Sequence, residues 1–599
     1  MKKLIVLIYS SIVASFIFAV LNVVFRLDIA FFAFPISILF VAVLAFYAAL
    51  KLIKNNDATK IPLVKKLYQY IPFVLLISFV LRRAGEFGTA KWFDWISVLL
   101  WLVVSVLSIV IQLFLGKKTL KKINPQWEEI VKAYDENKPK GIARVFREIL
   151  EWVDAFVQAA FTVALLNIFI IQLYQIPSES MVPEFLVNDR VVVFKTASGP
   201  KFPLSDVGLP TIKKYDRGDI VVFRNPHYSK DRKSEVKSFV SQLLYTITFT
   251  MVNLNVDEEG NLKADPLVKR ICGLPGEQLV MQDGVLYSRT FDSLDFKPVT
   301  EDSLWAEWNL DALPQDIKKD IQYIPLKSKS YNAMIECETL RKELSYSQVQ
   351  EQVLSLVNDF TSLSNKLFPQ KLSGSAPSLK KTYAEELLFS FSTMGYDVDF
   401  ARRLLSTEGG VEEFKSFMTQ WIEAIPEECF SNNPPLVGGD IYSDANFRLN
   451  LMVKLGIGGL IVRNSELLLD RIPVQNWGKD TKRIELINYN NMLINYLSVL
   501  DLRNMPLFPA NNSDGSPEFI SENTYFMMGD NRFNSLDMRH SYDKKFIALT
   551  ALDEYSVYYF SNMAPQGVAS KDILGTTVLR FWPTNRFGVP GLTGKVNIE

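Results

Sequence analysis

The stretch IPSESM, residues 176–181, follows directly on an apolar run and sets Ser178 and Ser180 one residue apart at its edge. Two readings of the pair are open at this point. The serines are a helix cap with ordinary surface polarity, or one of them is a nucleophile working at a membrane face. The sequence on either side bears on the choice.

Upstream, residues 4–25, 29–50, 95–116 and 155–176 contain no charged side chain. Each run has about the ~20 residues an α-helix needs to cross a hydrocarbon core. Residues 67–81 are uncharged too, but short for a span. The first run is not expected to be a removable signal peptide, since only a three-residue link joins it to the second.

Cytoplasmic loops carry an excess of Lys and Arg. Here Lys2 and Lys3 precede the first run, and Lys51, Lys54, Lys60, Lys65 and Lys66 follow the second. Lys117, Lys118, Lys121, Lys122, Lys132, Lys138, Lys140, Arg144 and Arg147 lie between the fourth and fifth. Putting all three groups inside requires five crossings and leaves everything after residue 176 outside. The parity fails without the short third run. The link holding Arg82, Arg83 and Lys91 is the exception, because this arrangement puts it outside. The first four runs read as an anchor; with no charge inside them they mark no ion or proton path, which disfavours a transporter.

Composition narrows the classes further. Over 599 residues Lys plus Arg and Asp plus Glu are 65 each, so overall charge gives no sign of a nucleic-acid partner. Three cysteines (Cys272, Cys337, Cys429) lack metal spacing and allow at most one disulfide, which excludes a zinc module and a disulfide scaffold. There are two histidines, His227 and His540.

After residue 176 the chain reads as mostly β. RVVVFK (190–195), GDIVVFRNP (218–226), VKRICGLPGE (268–277) and GTTVLRFWP (575–583) are strands bounded by Gly and Pro, and residues 282–284 start a hairpin. From about 297 to 520 the texture changes. Residues 344–367 and 383–425 have helical spacing, LSGSAPS (372–378) is linker-like, and IGGLIV beyond Leu451 reads as a strand. Residues 238–255 are nearly charge-free, and read either as an element lying on a bilayer surface or as buried core.

A serine hydroxyl attacks only when a base takes its proton. His227 and His540 are both available but stand in no recognised catalytic context. The alternative base is a lysine whose ammonium is penalised by burial. Lys269, in the apolar strand PLVKRICGLPG, is that candidate; a lysine in a strand is otherwise simply on an exposed face.

Four stretches in order, IPSESMVPEFLVNDRVVVFK, RGDIVVFRNP, LVKRICGLPGE and MMGDNRFNSLDMR, resemble the conserved boxes of bacterial type I signal peptidases. These are membrane-anchored serine–lysine endopeptidases that remove signal peptides from exported proteins. REILEWVDAFVQAAFTVALLNIFIIQLYQ is similar to that family's membrane anchor. The likeness covers about residues 147–290 and 521–580.

By resemblance, Ser180 is the nucleophile and Lys269 the general base, while the Ser178 hydroxyl joins the Ser180 N–H in an oxyanion hole. Gly529, Asp530, Asn531 and Arg532 form a supporting turn. Ser535 is expected to hydrogen-bond the lysine, with Asp537 and Arg539 as a buried charge pair behind it; taken alone, that pair would read as a surface ion pair. Arg270 is structural. Ile176, Met181, Leu267 and Val268 flank the catalytic pair and are read as lining shallow apolar pockets. Departures are Phe533, Glu179, Pro266 and Leu267, none of which removes a catalytic group.

The resemblance implies cleavage after small residues, of the Ala-x-Ala type, with no metal or cofactor required. It implies signal-peptide-bearing preproteins, the lipid bilayer and the translocation machinery as partners. The expected fold is a multi-pass α-helical membrane anchor plus a mainly-β extracytoplasmic catalytic domain that carries an inserted, largely helical domain. Its parts are a four-span region (1–116), a basic cytoplasmic loop (117–148), a fifth span (149–176), catalytic β parts (177–296 and 521–599) and the insertion (297–520). The expected place is the bacterial cytoplasmic membrane. Rival readings are a non-catalytic scaffold of a secretion complex, and a peptidase of the same chemistry with few substrates.

Overall fold

Runs of apolar residues without turn formers close their own backbone hydrogen bonds as helices. In the computed structural model five such helices lie in the first 169 residues: Lys2–Leu21, Ile29–Lys54, Ala58–Ala84, Trp92–Phe114 and Arg144–Phe169, each long and apolar enough to cross a membrane. The structure describes residues 1–85, 91–136, 141–228, 231–248, 252, 254–256, 263–384, 386, 388 and 396–591. The short third run is the middle of a full 24-residue helix, Ile61–Ala84. Outward side chains such as Val13, Phe16, Leu99, Val106 and Leu113 are exposed, an arrangement suited to lipid. A further helix, Ile441–Leu469, is also long and apolar enough, but it is largely buried inside the protein.

The two ends of the bundle are tied by different contacts. At one end the Trp127 indole N–H donates to Asn56 Oδ1 (3.0 Å), drawing together the segments that follow the second and fourth helices. At the other end Arg82 pairs with Asp94 at 2.7 Å and Arg83 Nε donates to the Leu204 carbonyl at 2.7 Å. The loop bearing Leu204 also lodges Phe202 against Phe79, Trp101 and Phe169. The two arginines that break the charge rule are thus engaged by Asp94 and by the β body; of the link itself, residues 86–90 lie outside the described residues.

The fifth run departs from expectation at its end. The helix stops at Phe169 and β1, Ile171–Gln175, follows. Strand pairing with β2 (Arg190–Phe194) competes for those backbone groups, in the register Ile171 to Phe194 and Gln175 to Arg190. Lys195 Nζ donates to the Asn167 carbonyl (2.9 Å) and Thr196 Oγ1 to that of Phe169 (2.8 Å), so carbonyls left open at the helix C-terminus are capped from the sheet.

The β body is antiparallel. β1 and β2 are joined by β13 (Ile573–Trp582), β3 (Ile220–Phe223), β4 (Leu267–Gly273), β9 (Thr524–Met528) and β12 (Val568–Ala569) in one seven-stranded sheet, in the order β1-β2-β13-β3-β4-β9-β12. A four-stranded sheet runs β7-β6-β5-β8, from Ser293–Pro298, Val285–Thr290, Glu277–Gln282 and Met505–Phe508. β10 (His540–Ala548) and β11 (Tyr558–Met563) form a separate hairpin.

Between β7 and β8 the described chain is largely helical. IGGLIV is not a strand; it lies within the helix Ile441–Leu469. The glycines of this helix permit close packing: an added Cβ would meet Asn490 Oδ1 at 2.2 Å from Gly456, Met418 at 2.7 Å from Gly458 and Leu486 at 3.0 Å from Gly459. Residues 344–367 do form a helix, Tyr346–Leu367. Of 383–425, the helices Tyr396–Ser406 and Gly410–Ala424 are described, while 385, 387 and 389–395 lie outside the described residues. The charge-poor stretch 238–255 begins within the helix Arg232–Ile247, where Val240 and Leu243 are exposed; its residues 249–251 and 253 lie outside the described residues. The helical layer shares one core with the β10–β11 hairpin, through Leu549, Tyr555, Val557 and Tyr559. Lys454 on the long helix pairs with Asp553 of the hairpin loop at 2.7 Å.

Candidate active site

β4 sits between β3 and β9, with Lys269 opposite Val221 and Arg270 opposite both Ile220 and Met528. Side chains alternate along a strand, so the two basic residues leave on opposite faces. Lys269 reaches Ser180: Nζ lies 2.6 Å from Oγ, and its other hydrogen bond goes to the Val268 carbonyl at 3.1 Å. Arg270 grips Asp530 bidentately, at 2.8 Å and 2.6 Å.

Lys269 is 2 % exposed. Burial pushes its ammonium down from the ordinary lysine range to about 8; Asp537 and Asp530 oppose the shift and Arg539 adds to it. Near neutral pH a usable fraction of the amine is therefore unprotonated.

Ser178 Oγ lies 3.4 Å from Ser180 Oγ, and is exposed. Among the described residues the Ser180 N–H donates no hydrogen bond. A free backbone donor beside a serine hydroxyl is the requirement for holding a developing oxyanion.

The last box folds against this loop. β9 ends at Met528, and the turn that follows crosses beneath the serines: Asn531 N donates to the Ser180 carbonyl (3.2 Å) and Asn531 Nδ2 to that of Glu179 (3.0 Å). Gly529 admits this approach, since an added Cβ would lie 2.3 Å from Ser180 O and 2.2 Å from Ser535 Oγ. Asp537 accepts from Gly529 N at 2.9 Å and from Arg539 Nε at 2.9 Å. Both members of that pair are 0 % exposed, so it is no surface ion pair.

Two expectations fare differently. Ser535 does not hydrogen-bond Lys269: its buried hydroxyl has no partner among the described residues, and the hydrogen bonds of Lys269 Nζ are to Ser180 Oγ and Val268 O. Ile176, Met181 and Val268 do come together, in one cluster with Phe185, Val191, Val193, Ile220 and Val222, but Ile176 and Met181 are buried within it; Leu267 packs on a different core.

The histidines serve elsewhere. His540 is buried against the Asp501 carbonyl (3.2 Å), and burial pushes its imidazole down to about 4. His227 contacts Gln566 and the ring of Tyr542. Neither touches Ser180.

Sequence reasoning missed the contribution of the segment after β7. Glu307 N donates to the Asp530 carbonyl (2.8 Å) and the Glu307 carbonyl accepts from Arg532 N (3.1 Å), Arg532 pairs with Asp302 at 2.6 Å, and the Arg270 guanidinium stacks 4.9 Å from the Trp305 ring. Nothing in its spacing marks that segment as a neighbour of the serines.

Residues 149–305 match the family model of signal peptidase, peptidase S26. Signal peptidase I of Pseudomonas aeruginosa is 30 % identical over 151 residues, covering 25 % of this chain and 52 % of that protein. Signal peptidase I of Buchnera aphidicola subsp. Baizongia pistaciae is 36 % identical over 133 residues, 22 % of this chain and 32 % of that protein. That of Haemophilus influenzae is 26 % identical over 213 residues, 34 % and 58 %. The chain thus matches between about a third and three-fifths of the length of these relatives. No solved structure matches it. The resemblance drawn from the boxes therefore holds for the stretch carrying Ser178, Ser180 and Lys269; the last box lies beyond the part matched by the family model.

Proposed function

We propose that this chain is a membrane-bound serine endopeptidase of the signal peptidase I kind, cutting N-terminal signal peptides from exported preproteins after small residues of the Ala-x-Ala type. The observation that carries the reading is the 2.6 Å contact between Ser180 Oγ and a buried Lys269 Nζ. The neutral amine takes the Ser180 proton as Oγ attacks the carbonyl before the cut. The Ser180 N–H and the Ser178 hydroxyl hold the oxyanion, the ammonium protonates the leaving amine, and an acyl-enzyme forms. The amine, neutral again, activates water to hydrolyse the ester. Every proton is carried by the chain's own groups.

The five apolar helices support placement in the bacterial cytoplasmic membrane, and β1 follows the fifth helix directly, which holds Ser180 close to the bilayer. The basic segments gather at one end of the bundle, while Arg82 and Arg83 meet the β body at the other; this favours five crossings with the catalytic part extracytoplasmic. Residues between β7 and β8 are then an inserted domain, and the translocation machinery a further partner.

The test is incubation of the detergent-solubilised chain with a preprotein carrying an Ala-x-Ala site, read by the product's mass. A single cut after the second alanine is expected. A preprotein left intact, across several signal sequences, contradicts the proposal.

A further inference from the structure

The residue between the two serines is glutamate, where the family resemblance expects glycine or another small residue. Its side chain is buried and turned away from the serines: Oε2 accepts from Tyr323 N at 3.2 Å, and Oε1 accepts from Gln322 N. A carboxylate holding two backbone amides makes charge-assisted hydrogen bonds, stronger than neutral ones. The main chain of Glu179 is tied on its other side, its carbonyl accepting from Asn531 Nδ2 at 3.0 Å and from Val182 N at 3.1 Å. That carbonyl belongs to the peptide whose N–H is that of Ser180.

The segment supplying the two amides is anchored in turn. Leu310, Leu313, Ile317, Ile321 and Ile324 pack on Val182 and Leu186, immediately after the nucleophile. Glu307, further back on the same segment, bridges to Asn531. The strap 302–324 therefore grips the serine loop at its side chain, at its following turn and through the Asn531 support.

We infer that Glu179 is a positioning residue: by latching onto Gln322 and Tyr323 it fixes the peptide plane between itself and Ser180, and so aims the Ser180 N–H at the oxyanion. The inference rests on the proposed serine–lysine chemistry. It gives the segment after β7 a part in the reaction, although none of its residues touches the reacting atoms.

The full chain in detergent is compared with Glu179→Ala and Glu179→Gln, in peptide cleavage and in amide hydrogen exchange. Loss of aim weakens transition-state binding more than substrate binding, so Glu179→Ala lowers kcat by about tenfold and leaves KM within about twofold. Glu179→Gln, which keeps one acceptor oxygen, falls between. Wild-type kcat in both variants, or a change confined to KM, overturns the inference. Exchange reads the latch without turnover: amides of Gln322 and Tyr323 exchange faster in Glu179→Ala, and unchanged rates overturn it. If the wild type cleaves nothing, the proposed function itself falls, a result distinct from active wild type with an indifferent Glu179.

Discussion

Lys269 and Ser180 meet at 2.6 Å, through a lysine side chain that is 2 % exposed. The two halves of that finding depend on each other. The strand position buries the amine, and burial is what leaves it unprotonated often enough to act as a base. The same strand turns Arg270 to the other face, where Asp530 neutralises it and anchors the turn beneath the serines.

The pH profile follows with a definite sign. Lys269 is held near 8, below the ordinary lysine range, so the active neutral form is depleted as pH falls through that value. Log kcat/KM should rise with unit slope and level off above about pH 8. An acid limb centred near 6.5, the range of an ordinary histidine, would contradict a lysine base.

Gly529 is the second lever. An alanine there would press its Cβ against the Ser180 carbonyl at 2.3 Å, and backbone has to move to relieve it. A displacement approaching 1 Å at the nucleophile costs on the order of 100-fold in rate. Gly529→Ala is therefore expected to lose most of its kcat while Gly478→Ala, where an added Cβ meets nothing within 4 Å, keeps it. Equal activities would show that the turn does not set the nucleophile's place.

Topology is open to labelling with little background, because all three native cysteines are buried. Asp206 is exposed in the loop that meets Arg83's end of the bundle, and Lys54 is exposed at the other end. In right-side-out vesicles a membrane-impermeant maleimide should label Asp206→Cys and spare Lys54→Cys. Labelling of both, or of Lys54→Cys alone, would reject five crossings.

Much of this was legible in the sequence because it is local. The charge-free runs and the β-branched strands RVVVF and IVVF announce themselves through composition, and the serine pair and the lysine through their place within such runs. What escaped was long-range. Residues 171–175 continue an apolar run, and only pairing with β2 makes them a strand. IGGLIV has strand composition, yet its glycines serve close helix packing against Met418 and Leu486. Ser535 falls in the right box, but the lysine's two hydrogen bonds go to Ser180 and Val268 instead. The hold of Glu179 on residues 322 and 323 spans more than 140 positions, with no periodicity to betray it.

The most direct measurement is the single-turnover cleavage rate of an Ala-x-Ala peptide by wild type, Ser180→Ala and Lys269→Ala, with thermal unfolding recorded alongside. The account predicts a cut after the second alanine by the wild type, and loss of more than about 1,000-fold in each variant at unchanged folding. Lys269→Ala retaining the wild-type rate would contradict it.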